Sequence, residues 1–464
     1  MPEAAINQRP EERRGKLNYF APGIPDRVKK KEIPSVKSPR DWFLAVQEHR
    51  AQRAGKHSDL RLFDGQTALS WALRKGLPAP GKSHLAIRQP DHNPSYMMFE
   101  GTIQGQYGRG KVRLERTGDV RVKNSSPDKI NFTSLGHKNP QEFTMVRTPK
   151  YGPDHWLMMN RTPTVESRPD IRTDKLKIKE SPVADIGHYM GREYALSSKI
   201  DGGQVTVNFG PKGVEVFSHA PSTSGELINH TYITEADKIR STKALDGTQI
   251  RAEVFAMKGK KVLPINELGS LMNSAPDKSL RRMKEEGISL HLAPLQVLKH
   301  KGKPMEAGSY KQHQEILKTL VDRMPANWRL PDVAYTKAKK EKMVNAIREG
   351  THHLTEEGVV AWPINGPGGQ PRKLPFRKHA QVYIREIYAM QRGGKPVGLA
   401  GGFHYSLTPK GPVVGKVGTG FSLALRTEMW KEKGKMVGRK VVIESLGKYP
   451  SGAHRAPSFI SFHL

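Results

Sequence analysis

Residues 194–209 read YALSSKIDGGQVTVNF, and this stretch decides how the centre of the chain is interpreted. Two strand-like runs, residues 194–198 and 204–209, lie on either side of Lys199-Ile200-Asp201-Gly202. A side chain at the end of a strand is held by the sheet and still stays accessible to a ligand. A lysine attacks phosphorus only as the free amine, so nearby cations, a metal or burial must lower its pKa. The stretch therefore predicts a nucleophilic Lys199 at a strand end.

Three further patterns follow this motif in order along the chain. A strand-like run at residues 249–255 carries Glu253, residues 357–360 read EGVV, and residues 372–378 read RKLPFRK. The K-x-D-G motif alone is a weak signal, and a surface turn with a solvated lysine is its competing interpretation. The ordered set favours a nucleotide-binding site over that turn.

This order resembles the nucleotidyltransferase superfamily of ATP-dependent DNA ligases, from about residue 194 to the C-terminus. The resemblance implies that Lys199 attacks the α-phosphorus of ATP, that the adenylate moves to a 5′-phosphate at a nick, and that the 3′-hydroxyl then displaces AMP. It implies Mg²⁺ as the cation that offsets phosphate charge. The implied catalytic residues are Lys199, Asp201, Lys373 and Lys378; the implied nucleotide contacts are Lys199, Gly202, Glu253, Glu357 and Lys378; the implied Mg²⁺ ligands are Glu253 and Glu357.

The sequence also departs from that family at four positions. Ser197 stands where many relatives have Glu, and Gln204 stands where an Arg often follows the glycine. His219 replaces a usual Arg, and Leu295 stands near the place of the aromatic residue that stacks on adenine. These departures bear on ATP affinity and on the sugar and 5′-phosphate contacts, and they leave the nucleophile and the carboxylates in place.

A second constellation lies near the N-terminus. His49 is followed by His57-Ser58-Asp59-Leu60-Arg61 and later by His92 and Tyr96. On a strand His57, Asp59 and Arg61 point to one face, because side chains alternate along a strand. The chain has no cysteine, so a metal must be held by His, Asp or Glu, and a His/His/Asp set suits Mn²⁺ or Zn²⁺. The competing interpretation is a set of scattered surface histidines.

Residues from about 41 to 160 resemble the 3′-phosphoesterase module of bacterial DNA ligase D. The resemblance rests on SWALRKG at residues 70–76, FEGTI at residues 99–103, YGRG at residues 107–110 and WLM at residues 156–158. It implies Mn²⁺ ligands and a group of residues that hold a 3′-phosphate. The implied ligands are His49, His57 and Asp59, and the implied phosphate contacts are Arg61, His92 and Tyr96.

The charge balance points to a polyanionic partner. Lys and Arg number 77 against 45 Asp and Glu, which gives a formal net charge of +32. Such a surplus attracts nucleic acid and speeds its capture. No apolar run reaches the length of a membrane span, and the N-terminus lacks the apolar core of a signal peptide. We therefore expect a cytoplasmic protein of a bacterial or phage-infected cell.

Composition and patterning predict a multidomain α+β chain. Residues 1–38 are predicted to be a disordered basic arm, and residues 161–190 a linker. Between them, residues 39–160 are predicted to form a small β-barrel with the 3′-phosphoesterase-like site. The pattern of residues 191–380 is mixed α/β, and the resemblance implies that they are the nucleotidyltransferase (adenylation) domain, an ATP-grasp-like ligase domain. The pattern of residues 381–464 fits a second small barrel, and the resemblance implies that it is an OB-fold that binds DNA.

The predicted function is that of an ATP-dependent DNA ligase that seals 5′-phosphate/3′-hydroxyl nicks and processes 3′ ends with its N-terminal domain. Nicked double-stranded DNA is the predicted partner, with ATP, Mg²⁺, and Mn²⁺ or Zn²⁺ as cofactors and a monomer as the working form. Roles in DNA repair, replication and recombination are consistent with this function. Two alternatives remain: an RNA-end ligase or nucleotidyltransferase with the same lysine chemistry, and a DNA-binding protein with a degenerate ligase site.

Overall fold

The computed structural model describes residues 27–104, 108–174, 176, 178–240, 242–305, 307–365, 371–449 and 451–463. Among these residues, no helix is both long and apolar enough to cross a membrane.

The N-terminal region is an antiparallel β-barrel. Eight of its strands close in the order β4-β3-β2-β8-β9-β10-β11-β5, because β5 pairs with β11 on one side and with β4 on the other. Apolar side chains fill the interior, where the Trp71 and Trp156 rings meet edge to face at 5.8 Å. The predicted small barrel is thus confirmed. The strands are β1 Arg27–Val28, β2 Arg40–Ala51, β3 Gly55–Phe63, β4 Ala68–Leu73, β5 Ser83–Arg88, β6 Asp91–His92, β7 Gly101–Ile103, β8 Gly110–Ser126, β9 Lys129–Ser134, β10 Gln141–Arg147 and β11 His155–Asn160, with 3₁₀ helices at Pro94–Met98 and Pro149–Tyr151.

The predicted disordered arm at residues 1–38 needs correction in its second part. Residues 1–26 lie outside the described residues. Beyond them β1 pairs with β6, and Ile33 and Val36 are each 4 % exposed within the barrel core. The sequence did not predict the burial of these two residues, because they stand in a basic, proline-rich stretch and are buried by strands far along the chain.

The predicted linker at residues 161–190 is also wrong as a description of structure. Thr164 forms a bridge with Glu226, and Ile171 is buried against Phe217 and Leu227. The segment then contributes strand β12, Lys179–Glu180, and a 3₁₀ helix at Val183–Met190. The segment is instead held against the central region by these contacts.

Among the described residues, the central region contains two β-sheets and four α-helices. One sheet has the order β15-β14-β16-β18-β19, with β17 beside β16, and the other has the order β12-β22-β21-β13-β20. The strands are β13 Tyr194–Ser198, β14 Gly203–Gly210, β15 Gly213–Ser218, β16 Thr248–Lys258, β17 Lys261–Val262, β18 Ile288–His300, β19 Lys303–Pro304, β20 Val333–Ala334, β21 Gly358–Pro363 and β22 Arg372–Pro375; the helices are α1 Ile265–Met272, α2 Pro276–Glu286, α3 Tyr310–Val321 and α4 Lys337–Arg348, with a 3₁₀ helix at Ala236–Lys238.

The first central sheet has one apolar and one polar face. Val205, Ile250 and Val254 are at most 1 % exposed and pack in the largest apolar core of the region, together with α1 and α2. On the other face, β14 carries Gln204, Thr206 and Asn208, and β16 carries Gln249, Arg251 and Glu253 before Phe255 and Met257 make it apolar. This polar face is where the segment before β13 lies.

The C-terminal region is a five-stranded antiparallel sheet in the order β25-β24-β23-β26-β27, covered by a helix. A parallel bridge between Thr419 and Ser458 brings the segment after β25 to the start of β27. The predicted OB-fold and the nucleotidyltransferase assignment of the central region stay predictions. The elements are β23 Lys378–Arg392, β24 Lys395–Ser406, β25 Gly415–Val417, α5 Leu423–Lys431, α6 Lys433–Met436, β26 Lys440–Ser445 and β27 Ser458–Phe462.

The barrel packs directly on the central region through polar contacts. These contacts come from β8, β9 and the following loop, at the opposite end of β2 from His49. The contacting pairs are Thr133 Oγ1 with Tyr232 Oη at 2.8 Å, Arg121 Nη1 with Asp237 Oδ2 at 2.5 Å, and Asn139 Nδ2 with Glu226 Oε2 at 2.9 Å. Docking therefore leaves the histidine end of the barrel uncovered by these contacts.

Candidate functional site

Strands β2 and β3 bring the predicted metal ligands together. His49 and His57 are direct cross-strand partners, with ring centroids 4.8 Å apart. Asp59 follows two residues after His57 and therefore lies on the same face of β3. Its carboxylate oxygens lie 3.5 Å from His49 Nδ1 and 3.5 Å from His57 Nε2. The three candidate ligand atoms lie within 4.8 Å of one another.

Backbone carbonyls fix the protonation of both histidine rings. His49 Nε2 lies 2.8 Å from the Gly108 carbonyl oxygen, and His57 Nδ1 lies 3.1 Å from the Gly55 carbonyl oxygen. Those nitrogens must carry the protons, because a carbonyl only accepts. The other nitrogens, His49 Nδ1 and His57 Nε2, face Asp59, and a bound metal would take the place of the protons that they donate to this carboxylate. This is the arrangement of a histidine that binds a metal and donates its second N–H to a carbonyl.

The carboxylate of Asp59 stays ionised in this site. Burial by itself would raise its pKa, but the charge of Arg61 and hydrogen bonds from His49 and His57 hold the pKa well below its usual range. Asp59 in turn raises the pKa of His57, against the opposing effect of burial. An anionic oxygen with two imidazole nitrogens is a donor set that fits Mn²⁺ or Zn²⁺.

The predicted phosphate contacts lie beside the metal set. Arg61 Nη2 donates to Asp59 Oδ2 at 3.1 Å, and Nη1 lies 3.1 Å from His92 Nδ1. The guanidinium sits 4.7 Å above the Tyr96 ring, which stacks on His92 at 4.8 Å. A cavity of about 90 Å³ is lined by these residues together with His49 and His57. The structure thus gathers all six predicted residues of this site.

Two residues of this site were missed from the sequence. Gln47 is fully buried; its Oε1 accepts from Arg61 Nε at 2.6 Å, and its amide donates to the Tyr96 carbonyl at 3.1 Å. Ser70 Oγ accepts from Arg61 Nη1 at 2.9 Å. The alternation that selected Asp59 also selects Gln47, which stands two residues before His49 and opposite Asp59.

A second site surrounds Lys199, directly after β13. The Lys199 amide donates to the Gly358 carbonyl at 2.9 Å, and Lys199 Nζ forms an ion pair with Glu357. Thr355 links the two segments, because its hydroxyl donates to the Lys199 carbonyl at 2.5 Å and accepts from the Glu357 amide at 2.9 Å. Residues that are far apart in sequence are therefore held in fixed register around the lysine.

The C-terminal region supplies an arginine that was not predicted as a site residue. Arg455 Nη2 lies 2.5 Å from Asp201 Oδ2 and 3.1 Å from Glu357 Oε1. Burial and the nearby charge of Glu357 raise the pKa of Asp201 to about 6, although Arg455 and Lys199 oppose this change. The one sequence signal that could have indicated Arg455 as a site residue is its position in a basic, Gly-rich tail.

Gly202 allows Glu253 to approach the lysine segment. A Cβ atom at Gly202 would lie 2.2 Å from the Val254 carbonyl oxygen and 2.7 Å from Glu253 Cγ, so only glycine fits there. Glu253 is therefore in contact with the residue that follows Asp201. Glu357 pairs with Lys199 and shares Arg455 with Asp201, so two carboxylates lie beside the lysine, and carboxylate oxygens are the ligands that Mg²⁺ prefers.

The two predicted lysines of the basic segment occupy different surroundings. Lys373 pairs across the sheet with Val360, which in turn pairs with Ser197. Its Nζ lies 3.4 Å from Glu180 Oε2. Lys378 is 61 % exposed and pairs with Glu356 at 3.0 Å. Arg377, rather than Lys378, shares Glu180 with Lys373, at 3.0 Å.

Each polar departure from the ligase pattern has a partner inside the protein. Ser197 Oγ accepts from Trp362 Nε1 at 2.9 Å, Gln204 Oε1 accepts from the Leu176 amide at 2.7 Å, and His219 Nδ1 lies 3.1 Å from the Gln204 carbonyl. Leu295 lies where the pairing of β16 with β18 shifts its register. These side chains therefore serve internal contacts.

Comparison with known proteins identifies the N-terminal region. Residues 47–147 match the family model described as the DNA Ligase D 3′-phosphoesterase domain. No curated protein matches the chain. Similar solved structures include a chain from a structure–function analysis of Lig E DNA ligases (18 % identity, 62 % of this chain and 99 % of that chain, TM-score 0.42), mycobacterial DNA ligase D complexed with ATP and MES (15 %, 63 % and 95 %, 0.35) and the ATP-dependent DNA ligase of bacteriophage T7 (17 %, 63 % and 100 %, 0.33). The stretch that matches this family model, residues 47–147, contains the whole predicted metal and phosphate set.

Proposed function

We propose that this protein is an ATP-dependent DNA ligase that seals nicks through an adenylate on Lys199, and that its barrel processes blocked 3′ ends with a bound metal. The observation that supports the ligase activity best is the convergence on Lys199 of Glu357 and Asp201, with Arg455 bridging the two carboxylates. The sealing reaction needs a 3′-hydroxyl, so an end-cleaning site on the same chain removes the lesion that blocks it.

The adenylation step follows from the surroundings of Lys199. Its amine forms a bond to the α-phosphorus of ATP and pyrophosphate leaves, which requires the amine to lose its proton and its ion pair with Glu357. Glu253 and Glu357 would hold Mg²⁺, which supplies charge neutralisation on the phosphates. Lys373 and Arg377 provide further positive charge for the phosphates.

The two later steps use the same positioned groups. A 5′-phosphate oxygen at the nick attacks the adenylate phosphorus and releases the lysine amine. The 3′-hydroxyl then attacks the phosphorus of the 5′-phosphate and releases AMP. Each step is a phosphoryl-type transfer, in which positioning and electrostatics dominate.

End processing is proposed for the barrel cavity. His49, His57 and Asp59 would hold Mn²⁺ or Zn²⁺, which supplies Lewis-acid polarisation of the scissile phosphate. His92 Nδ1 accepts from Arg61, so the proton of the neutral ring lies on Nε2. Arg61 adds a fixed positive charge that is held in place by Gln47.

The experiment that tests the ligase proposal is incubation with α-labelled ATP and Mg²⁺, followed by a denaturing gel. We expect a labelled band that Lys199→Ala abolishes, that the exposed control Lys238→Ala retains, and that nicked DNA discharges. Protein that arrives already adenylated is first stripped with pyrophosphate. If stripped wild-type protein fails to label, the ligase proposal is wrong; labelling by GTP in preference to ATP would indicate a capping-type nucleotidyltransferase.

A further inference from the structure

The described residues of the segment 168–180, which are 168–174, 176 and 178–180 and are here named the strap, lie along the polar side of the first central sheet. Its main chain is held by side chains of β14 and β16. Thr206 Oγ1 donates to the Arg172 carbonyl at 2.7 Å, Gln249 Oε1 accepts from the Arg172 amide at 3.1 Å, and Gln204 Oε1 accepts from the Leu176 amide at 2.7 Å. Binding at several points by side chains gives the strap a defined course.

The strap then crosses to the sheet that carries Lys199. Leu176 and Ile178 pack beside Val360 and Trp362, on the apolar patch that also includes Ala195. Strand β12 ends the strap by pairing in parallel with β22, which sets Glu180 directly beside Lys373. The end of the strap therefore places the Glu180 carboxylate next to the basic segment at residues 372–378.

Glu180 is held by two cations at once. Its Oε1 lies 3.0 Å from Arg377 Nη2, and its Oε2 lies 3.4 Å from Lys373 Nζ. The Glu180 side chain is 39 % exposed and that of Lys373 is 37 % exposed, so a ligand can reach this pair of cations. Two carboxylate oxygens on two cations make the same kind of contact that two phosphate oxygens would make.

We propose that Glu180 is an internal competitor for nucleotide phosphate, which occupies Lys373 and Arg377 until ATP displaces it. This inference rests on the proposed ligase function, because it takes the phosphates of ATP to be the displacing ligand. Binding of ATP exchanges one carboxylate for phosphate oxygens on these two cations. The strap thereby lowers nucleotide affinity, and its carboxylate must leave before both cations engage a phosphate.

The test compares Glu180→Gln with wild-type protein in initial adenylation rates over a range of ATP concentrations. We expect the KM for ATP to fall about three- to tenfold, because one partly exposed negative charge next to the phosphates is removed. The kcat should stay within about twofold, since Glu180 does not contact Lys199. The difference in KM should shrink in 0.5 M KCl, because salt screens exposed charges.

Two controls isolate the charge of Glu180. Glu286→Gln removes a carboxylate that pairs with Arg282 on α2, away from this site, and should leave KM unchanged. Glu180→Asp keeps the charge, so its KM for ATP should lie nearer to the wild-type value than the KM of Glu180→Gln. An unchanged or raised KM in Glu180→Gln overturns the inference while adenylation itself stands. A wild-type protein that neither labels nor binds ATP in a calorimetric titration overturns the ligase proposal and this inference with it.

Discussion

Replacing Asp59 with Asn should destabilise the protein more than any exposed Asp replacement. The Arg61 side chain is 3 % exposed, and it donates to Asp59 Oδ2 at 3.1 Å. Removing one partner of a buried pair costs about 3–5 kcal/mol, because the other charge stays buried. Arg61 keeps its bonds to Gln47 and Ser70, so we expect the lower end, about 3 kcal/mol. The barrel lies in size between domains of about 100 and about 150 residues, for which 1 kcal/mol shifts the Tm by roughly 3–5 °C, so its Tm should fall by roughly 9–15 °C.

The measurement is urea unfolding and thermal melting of metal-free protein, with Asp128→Asn as the matched control. Asp128 is 68 % exposed and lies 3.4 Å from Arg147, so its replacement should change stability by less than about 0.5 kcal/mol. Mn²⁺ at a hundredfold excess over Kd should raise the free energy of unfolding of wild type by about 2.7 kcal/mol, and its Tm should rise accordingly. It should raise the Tm of Asp59→Asn much less, because a ligand is lost. If Asp59→Asn and Asp128→Asn had the same Tm and Mn²⁺ raised both Tm values equally, the assignment of this site would be refuted.

The pH dependence of the same pair follows from the depressed pKa of Asp59. A carboxyl whose folded pKa lies below its unfolded value stabilises the folded state fully above the unfolded pKa, near 4. The contribution of the Asp59 carboxylate should therefore be complete above about pH 5 and decline as the pH falls below about 4. Asp59 also raises the pKa of His57, so a second part of the advantage of wild type over Asp59→Asn should be present below about pH 6.5 and be lost as the pH rises further. An advantage that grew as the pH fell below about 4 would contradict the sign of the Asp59 shift.

Two further predictions concern the barrel. His57→Ala should abolish metal-dependent removal of a 3′-phosphate from a nicked duplex, and it should spare the sealing of clean nicks. The control is His353→Ala, in which the replaced side chain is 61 % exposed; it should keep both activities when the products are compared on the same denaturing gel. Tyr232→Phe should lower the free energy of unfolding in urea by about 1 kcal/mol, because the hydroxyl of Thr133 loses its partner at the contact between the barrel and the central region; an unchanged midpoint would mean that this contact adds nothing to stability.

The sequence located most of the candidate chemistry because strand periodicity is a local property. The alternation of His57, Asp59 and Arg61 places the three on one face of a strand whatever the strand pairs with. The predicted barrel was correct for the same reason, since short alternating runs and turns define its strands. The segment before β13 was read wrongly because its composition resembles that of a linker, and composition does not reveal which side chains bind a main chain.

The sequence by itself determined the strand that ends at Lys199, the His/His/Asp set and the basic charge. These depend on residue types at short spacings. Only the tertiary structure decided that Arg455 bridges Asp201 and Glu357. It also decided that Glu180 forms ion pairs with Lys373 and Arg377. Such contacts join residues that are distant along the chain. Their geometry depends on how whole sheets pack and on the register between strands, which short-range patterns do not encode.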